Sequence, residues 1–585
     1  MKSPLPIAGF LAPVVLSAVI GAQGAAVIDA ANVTGSIRNL QGVNAGPLNL
    51  NQGWDMTGWY RRLRVESVRT HDFYGPLDIP TIFPDQSADE TNPASYDFTT
   101  SDQQMAALIA GGARPFLRLG ISWNQKGWSL QMTTDKLAEV CRRIVMHYHS
   151  GWAAGMQLDL EWVEFWNEPN GPGFWPGTPQ QFYASYDKLA RGVRQLDPAI
   201  KIGACGLAGH SSATYRDGLI GYCAQNGVPL DFYSWHLYGT RSVGGKKTPE
   251  AFDVAKNSRE VQAVLDQHGM SSTVQVVSEW NVALGGDPGT WLSDVTGAAY
   301  CASFLTYAQD ENIALTHHYR GDIHGGGAGG MGLFANTTTP QARAWVMLMH
   351  GRLGLTPDRL SVTGTDQTGF AILAGRSQSS GEIRFTASDY LGTTQTRTVE
   401  LRNLPAGRYL VTWLELRTNG NRVSRRANLV NATGGTLSLS LPQGSYVSHA
   451  LVRPAPGLDP VIAFDDPVAP WQQLTADVTV AGANPGDTYV VLLSASGGFP
   501  GTSLPGGLTL PLNFDLLTTA GLAIAGTTAF RGATGIVPPS GNTFAHLSLG
   551  TVPVSGIGMP ITAAALSLSP AGFAASGNSD VLTIR

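Results

Sequence analysis

The chain has 585 residues, too many for one ordinary domain, and its length predicts two to four. Charged residues make up only 14 % and the formal net charge is −5, which argues against a nucleic-acid or polyanion binder. The composition is globular, and its 14 Trp and 17 Tyr suit both a large core and surfaces on which sugars stack.

In chain order, Lys2 precedes an apolar run from Ile7 to Ile20, followed by small residues from Ala22 to Ala25. That is the pattern of an export signal over residues 1–25, and Pro6 and Pro13 fit it better than a buried first helix. No later stretch is long and apolar enough to span a membrane. The expectation is a secreted protein, extracellular or periplasmic, with no membrane span. Cys141, Cys205, Cys223 and Cys301 leave their pairing open, and none has zinc spacing. Cys205 and Cys223 flank one strand–helix segment and are the expected bridge.

From about residue 36 to 345, short apolar runs alternate with amphipathic segments. The runs are LQGVN (40–44), SVRTH (67–71), RPFLRLG (114–120), WVEFWNE (162–168), KIGACG (201–206), FYSWHLY (232–238), VQVVSE (274–279) and LTHHY (315–319). Between them, TDKLAEVCRRIVMHYHS repeats apolar residues at helical spacing behind Thr134 and Asp135, and TPQQFYASYDKLARGVRQL opens on a capping Thr-Pro pair. Eight strands alternating with helices predict an α/β fold, a (β/α)8 TIM barrel over residues 26–357, with a doubly wound sheet as the rival. Strand after strand ends in a polar residue: Asn44, His71, Asn167-Glu168, His236, Tyr238, Glu279, His318 and Tyr319. A barrel gathers those ends at one mouth, and an open sheet does not.

After residue 358 short alternating strands and Gly, Asn and Pro turns predict a β-sandwich over 358–453. PAPGLDP (454–460) reads as a linker, and residues 461–585 as a further C-terminal all-β domain. That tail carries no Lys and no Glu, so acid–base or metal chemistry is not expected there.

Glu168 and Glu279 close the fourth and seventh predicted strands. Paired carboxylates across a pocket can break a glycosidic bond, one protonating the leaving oxygen while the other attacks or positions water. The motifs FWNEPN, VSEWN, DFYSWHLYG and VRTHDFYG resemble glycoside hydrolase family 39 of clan A, the family of β-xylosidases and α-L-iduronidases. The resemblance covers about residues 28 to 452. It implies Glu168 as acid/base, Glu279 as nucleophile and Asn167 as the holder of the sugar 2-hydroxyl. Tyr238 is placed to hydrogen-bond the nucleophile. His71 and His236 are expected to hydrogen-bond substrate hydroxyls or to hold the glutamates in place, His318 and Tyr319 are candidate substrate ligands, and Trp175 and Trp280, with Trp123 and Trp291, candidate stacking platforms. Arg69 reads as a buried partner of Glu279, whereas Glu164 is expected to face elsewhere and Glu161 to be solvated.

His317, His318, Asp322 and His324 cluster in sequence, but adjacent strand residues point to opposite faces, so no metal and no cofactor is expected. GLAGHSSA lacks the second glycine of a nucleophile elbow, which disfavours a serine hydrolase. The resulting expectation is a secreted retaining glycosidase acting on an oligo- or polysaccharide, exo-acting on β-xylosides or related pentosides. Alternatives are an arabinosidase, an iduronidase-like or endo-acting enzyme of the same fold, or a non-catalytic carbohydrate-binding surface protein. An iduronidase needs cations to meet a uronic carboxylate, for which Arg118 and Arg320 are the candidates.

Overall fold

The computed structural model describes residues 25–583 except 73–74, 240, 244, 285–290, 325–329, 418–422, 456–460, 465–472, 552–559, 571, 577 and 579. All but the last residue of the expected export signal and most of the expected linker lie outside the described residues.

Eight parallel strands close into a barrel: β1 (Gly42–Asn44), β2 (Ser67–Arg69), β3 (Arg114–Leu119), β4 (Trp162–Phe165), β5 (Lys201–Leu207), β6 (Phe232–Tyr238), β7 (Val274–Asn281) and β8 (Ile313–His318). Closure comes from β8 pairing with β1, His317 opposite Gly42. Residues alternate between the barrel interior and the surrounding helices, as the period of two requires. Phe116, Trp162, Phe232, Val276 and Leu315 fill the lower interior as one apolar cluster. Outward residues such as Val163, Phe165, Val277 and Trp280 join the helices in the main core.

The helices form where caps and periodicity agree. Thr178 accepts the Gln181 amide while Gln181 reaches back, with Pro179 opening the helix Pro179–Leu196. The helix Thr134–Ser150 is capped by Thr133, one residue before the expected pair, and ends on left-handed Gly151. The helix Val295–Tyr307 has apolar or small residues all round, because it is buried on both sides. Its Phe304 stacks on Trp280 of β7 with centroids 3.9 Å apart, and its Ser303 hydroxyl donates to Gly369 O at 2.7 Å in the accessory sheet.

That accessory sheet has nine strands and recruits the N-terminal strand Ala26–Ser36, which the sequence reading had grouped with the barrel. This strand pairs antiparallel with Asp358–Thr363 and parallel with Thr398–Arg402. Its alternating first half, AVIDA, buries Ala26, Ile28 and Ala30 against Phe385, Val399 and Trp413. The edge strands Ser424–Ala432 and Leu437–Ser440 are joined by a tight turn, so the sheet curls round its own core. Two further sheets pack around Val478, Val491, Phe530, Leu547 and Ala563 in the C-terminal region. There a short helix, Leu516–Ile524, is capped by Asp515 within otherwise β-style sequence.

The expected Cys205–Cys223 bridge is not formed: all four cysteines are free and buried. Cys205 lies on β5, where its thiol faces Tyr215 O at 3.6 Å and the Tyr233 hydroxyl at 3.8 Å, while Cys223 sits in the helix Leu219–Asn226. Burial pushes the Cys223 and Cys301 thiols up to about 12, so they are inert as nucleophiles. Alkylation of the native protein is therefore expected to label none of the four thiols, and alkylation in denaturant all four. A reductant should leave the unfolding midpoint unchanged.

Candidate active site

Arg69 is the last residue of β2 and fully buried, and its guanidinium is shared four ways. Nε donates to Glu164 Oε2 at 2.6 Å, Nη1 to Glu279 Oε1 at 2.8 Å and to Asn44 Oδ1 at 3.1 Å, and Nη2 to Asn167 Oδ1 at 2.8 Å. An ammonium could not match this planar fork. Gly206 of β5 makes room for it, since a Cβ there would lie 2.9 Å from Arg69 Nη2. Glu164 thus faces inward and not elsewhere: counting by two from inward Trp162 puts it on the interior face, where it is fully buried. Glu161, by contrast, pairs with Arg114 and Lys201 on a partly exposed surface.

Glu279 lies above this layer. Its Oε1 also meets His71 Nε2 at 3.1 Å, and its Oε2 accepts from the Tyr238 hydroxyl at 2.7 Å. Burial alone would push this carboxyl up. The adjacent His236 and His71, the hydrogen bond from His71 and the Arg69 charge outweigh it and hold Glu279 well below the ordinary carboxylate range. Burial and the Glu279 charge in turn hold the Tyr238 phenol well above its usual value, so it remains a donor.

Glu168 follows β4 in left-handed backbone, φ +45°, after Trp166 at φ +75°. Such conformations are uncommon for residues with a Cβ and concentrate at functional sites. The turn is pinned by Trp166 N to Leu119 O at 2.6 Å and Glu168 N to Gly206 O at 2.8 Å. The Glu168 Oε1 meets His236 Nδ1 at 2.9 Å, and the same nitrogen lies 3.6 Å from Glu279 Oε2. One ligand-type atom from each of Glu168, His236 and Glu279 lies within 4.8 Å of the others. Among the described residues this is the one grouping of carboxylates and imidazoles close enough to hold a metal ion, and it is the carboxylate pair itself. The Glu168 side chain is 20 % exposed and that of Glu279 6 %, so the pocket opens on the Glu168 side. Asn167 spends its oxygen on Arg69, which leaves its NH2 group as a donor.

Tyr319 reaches the same mouth, its ring 6.2 Å from Tyr238 and its hydroxyl donating to Asp72 Oδ2. Asp72 was missed in the sequence, although it directly follows His71 in RTHD. It is buried, accepts the Trp123 amide at 3.0 Å and lies 3.6 Å from His71 Nε2. Burial pushes its carboxyl up, but His71, Arg320 and the Tyr319 hydroxyl together bring it below its usual value.

Four sequence candidates pack elsewhere: Trp280, His318, Trp175 and Trp291. Trp280 points outward between Phe304 and Thr316, to whose hydroxyl it donates at 3.0 Å. His318 also points outward, edge-on to Trp280, and burial with the nearby Arg343 keeps it well below the ordinary histidine value. His318 has the outward parity of its strand, opposite to Leu315 and His317, whereas in β7 the alternation that puts Val276 inward breaks at an irregularity between Val277 and Glu279, which turns Glu279 to the mouth and Trp280 outward. Trp175 is packed edge-on against Trp166 and Phe182 and donates to Thr178 O at 2.9 Å. His317 does face inward but lies deeper, against Ser67 at 3.0 Å and the Phe116 ring. Trp291 packs on Tyr390 of the accessory sheet.

A closed (β/α)8 barrel with two carboxylates converging at its C-terminal mouth defines the paired-carboxylate class of barrels. Residues 39–321 match the model of "Glycosyl hydrolases family 39". The barrel of this chain is thus similar to that family over those residues. A beta-xylosidase of Geobacillus stearothermophilus is 26 % identical over 285 residues, 44 % of this chain and 52 % of the relative. An alpha-L-iduronidase of Homo sapiens is 27 % identical over 197 residues, 31 % of this chain and 28 % of the relative. These matches thus span about half or less of each relative's length. The crystal structure of a glucosidase from Croceicoccus marinus superposes with a TM-score of 0.64 at 25 % identity, covering 74 % of this chain and 99 % of that one.

Arg69→Ala is expected to destabilise the protein by about 3–5 kcal/mol in urea unfolding at pH 7, because two buried carboxylates lose their cation. Glu164→Gln in the same background should recover part of that loss. Stability should also fall with pH in the acid range. Glu279 keeps its charge to lower pH when folded than when unfolded, so its contribution is complete above about 4.3 and is lost as pH drops toward the folded value. Glu279→Gln should flatten this acid limb.

Proposed function

We propose that the chain is a secreted, retaining glycoside hydrolase, exo-acting on β-xylosides or related neutral pentosides. The observation that carries the mechanism is the close approach of the two carboxylates, with oxygens within 4.8 Å. Inverting enzymes keep theirs roughly 6.5–9.5 Å apart to admit a water, whereas retaining pairs sit closer. Glu279, held ionised by His71, His236 and Arg69, attacks the anomeric carbon as Glu168 gives its proton to the leaving oxygen. A glycosyl ester on Glu279 results. Water then attacks the same carbon, Glu168 takes its proton, and the Glu279–carbon bond breaks. Asn167 and Tyr238 hold the sugar 2-hydroxyl and the nucleophile.

A neutral glycone is favoured by the charges at the mouth. Arg320 is committed to Asp322 at 2.6 and 2.7 Å and to Asp72 O at 2.9 Å. Arg118 is committed to Asp78 at 2.7 Å. The Asp72 carboxylate, beside His71, would repel a uronate. The pentoside preference and the exo mode rest on the beta-xylosidase relatives, and secretion rests on the run from Lys2 to Ala25.

The test is a panel of aryl glycosides, xylosides and arabinosides first, with the first-formed anomer followed by NMR. Cleavage with retention, reduced by about a thousandfold or more in Glu279→Ala, is the expected result. Adding azide to Glu279→Ala should yield a glycosyl azide of inverted configuration. Inversion by the wild type, or full activity in Glu279→Ala, would sink the assignment.

A further inference from the structure

Trp123 is, among the described residues, the one exposed tryptophan, 64 % accessible, and the mechanism gives it no work. It opens the turn Trp123–Gln125 directly after β3, and its amide donates to Asp72, which sits against His71. Its loop is tied to the Glu168 loop. Gly127 N donates to Gly173 O at 2.8 Å, and the Trp123 ring lies 6.0 Å from that of buried Phe174. Gly171, between Glu168 and Phe174, keeps them close: a Cβ there would sit 3.2 Å from Phe174 Cδ2 and 3.4 Å from Glu168 Cβ. The Lys126 ammonium covers the Trp123 ring at 4.2 Å from its centroid.

An indole held on a turn, with a cation against it, offers its remaining surface to the C–H face of a sugar ring and the ammonium to its hydroxyls. The side matters. Glu168 protonates the leaving oxygen, and the Trp123 loop is tied to residues 173–174, the segment that follows Glu168, which puts the indole toward the leaving-group end of the cleft. Resting on the glycosidase reading, we propose that Trp123 is the stacking platform of a leaving-group subsite, and that the barrel takes substrates whose leaving group is itself a pyranose residue.

The experiment compares two substrates with the same glycone, a disaccharide and a glycosyl fluoride, on the full-length wild type, Trp123→Ala and Trp123→Tyr. Fluoride has no ring to stack. In Trp123→Ala the ratio of kcat/KM for disaccharide over fluoride should fall by about tenfold or more, largely through KM. Trp123→Tyr should restore most of it. An unchanged ratio, whether both activities fall together or neither falls, overturns the subsite and leaves the glycosidase reading standing. If the wild type cleaves neither substrate with any glycone of the panel, the glycosidase reading falls and the subsite with it. Because the side chain is exposed, its loss should leave the fold intact, and an unchanged unfolding midpoint checks that.

Discussion

The barrel mouth depends on one buried cation. Arg69 reaches from β2 into the interior and engages two carboxylates and two amides, from β1, β4, the turn after β4 and β7. A guanidinium without water must be neutralised and have its donors satisfied, and here each of those needs is met by a different strand. The requirement places Glu279, orients Asn167 and demands glycine at position 206. It also explains Glu164, a carboxylate that sits fully buried in the barrel interior. With Glu164 sharing the charge, Arg69 does not belong to Glu279 alone.

Around that hub the two glutamates acquire opposite surroundings. Glu279 is enclosed by Arg69, two imidazoles and a phenol, all of which favour its anion. Glu168 has His236 as its partner, stands more open and is held on left-handed backbone that lifts it from strand to mouth. A nucleophile must stay ionised, and an acid must exchange its proton with what enters, so the asymmetry fits the proposed division of labour. His236 lies between them, within reach of both.

The rest of the chain braces this arrangement from outside. The helix Val295–Tyr307 has no solvent face because β7 lies under one side and the accessory sheet under the other. The strand carrying Glu279 is therefore backed through Trp280 and Phe304 by a second domain. That domain in turn takes its first strand from residues 26–36, so the chain enters through the accessory sheet before it starts the barrel.

Much of this was legible in the order of residues. All eight barrel strands lie within or beside the apolar runs picked out in the sequence, and Asn167, Glu168, His236, Tyr238 and Glu279 lie at or near the ends of three of them, because strand alternation and turn chemistry are local properties. Parity also separates Glu279 from Trp280 and His317 from His318, yet counting residues does not say which parity faces the pocket. His318 was misassigned for that reason and Glu164 set aside for the same one, while Trp280 faces outward because β7 breaks its alternation between Val277 and Glu279. Asp72, the free Cys205 and Cys223, the core position of Trp175 and the displaced strand 26–36 depend on which distant segments meet. Local sequence determines what each strand is made of and where it ends. Closure of the barrel decides which of those ends share a charge, since a buried guanidinium takes its partners from strands far apart along the chain.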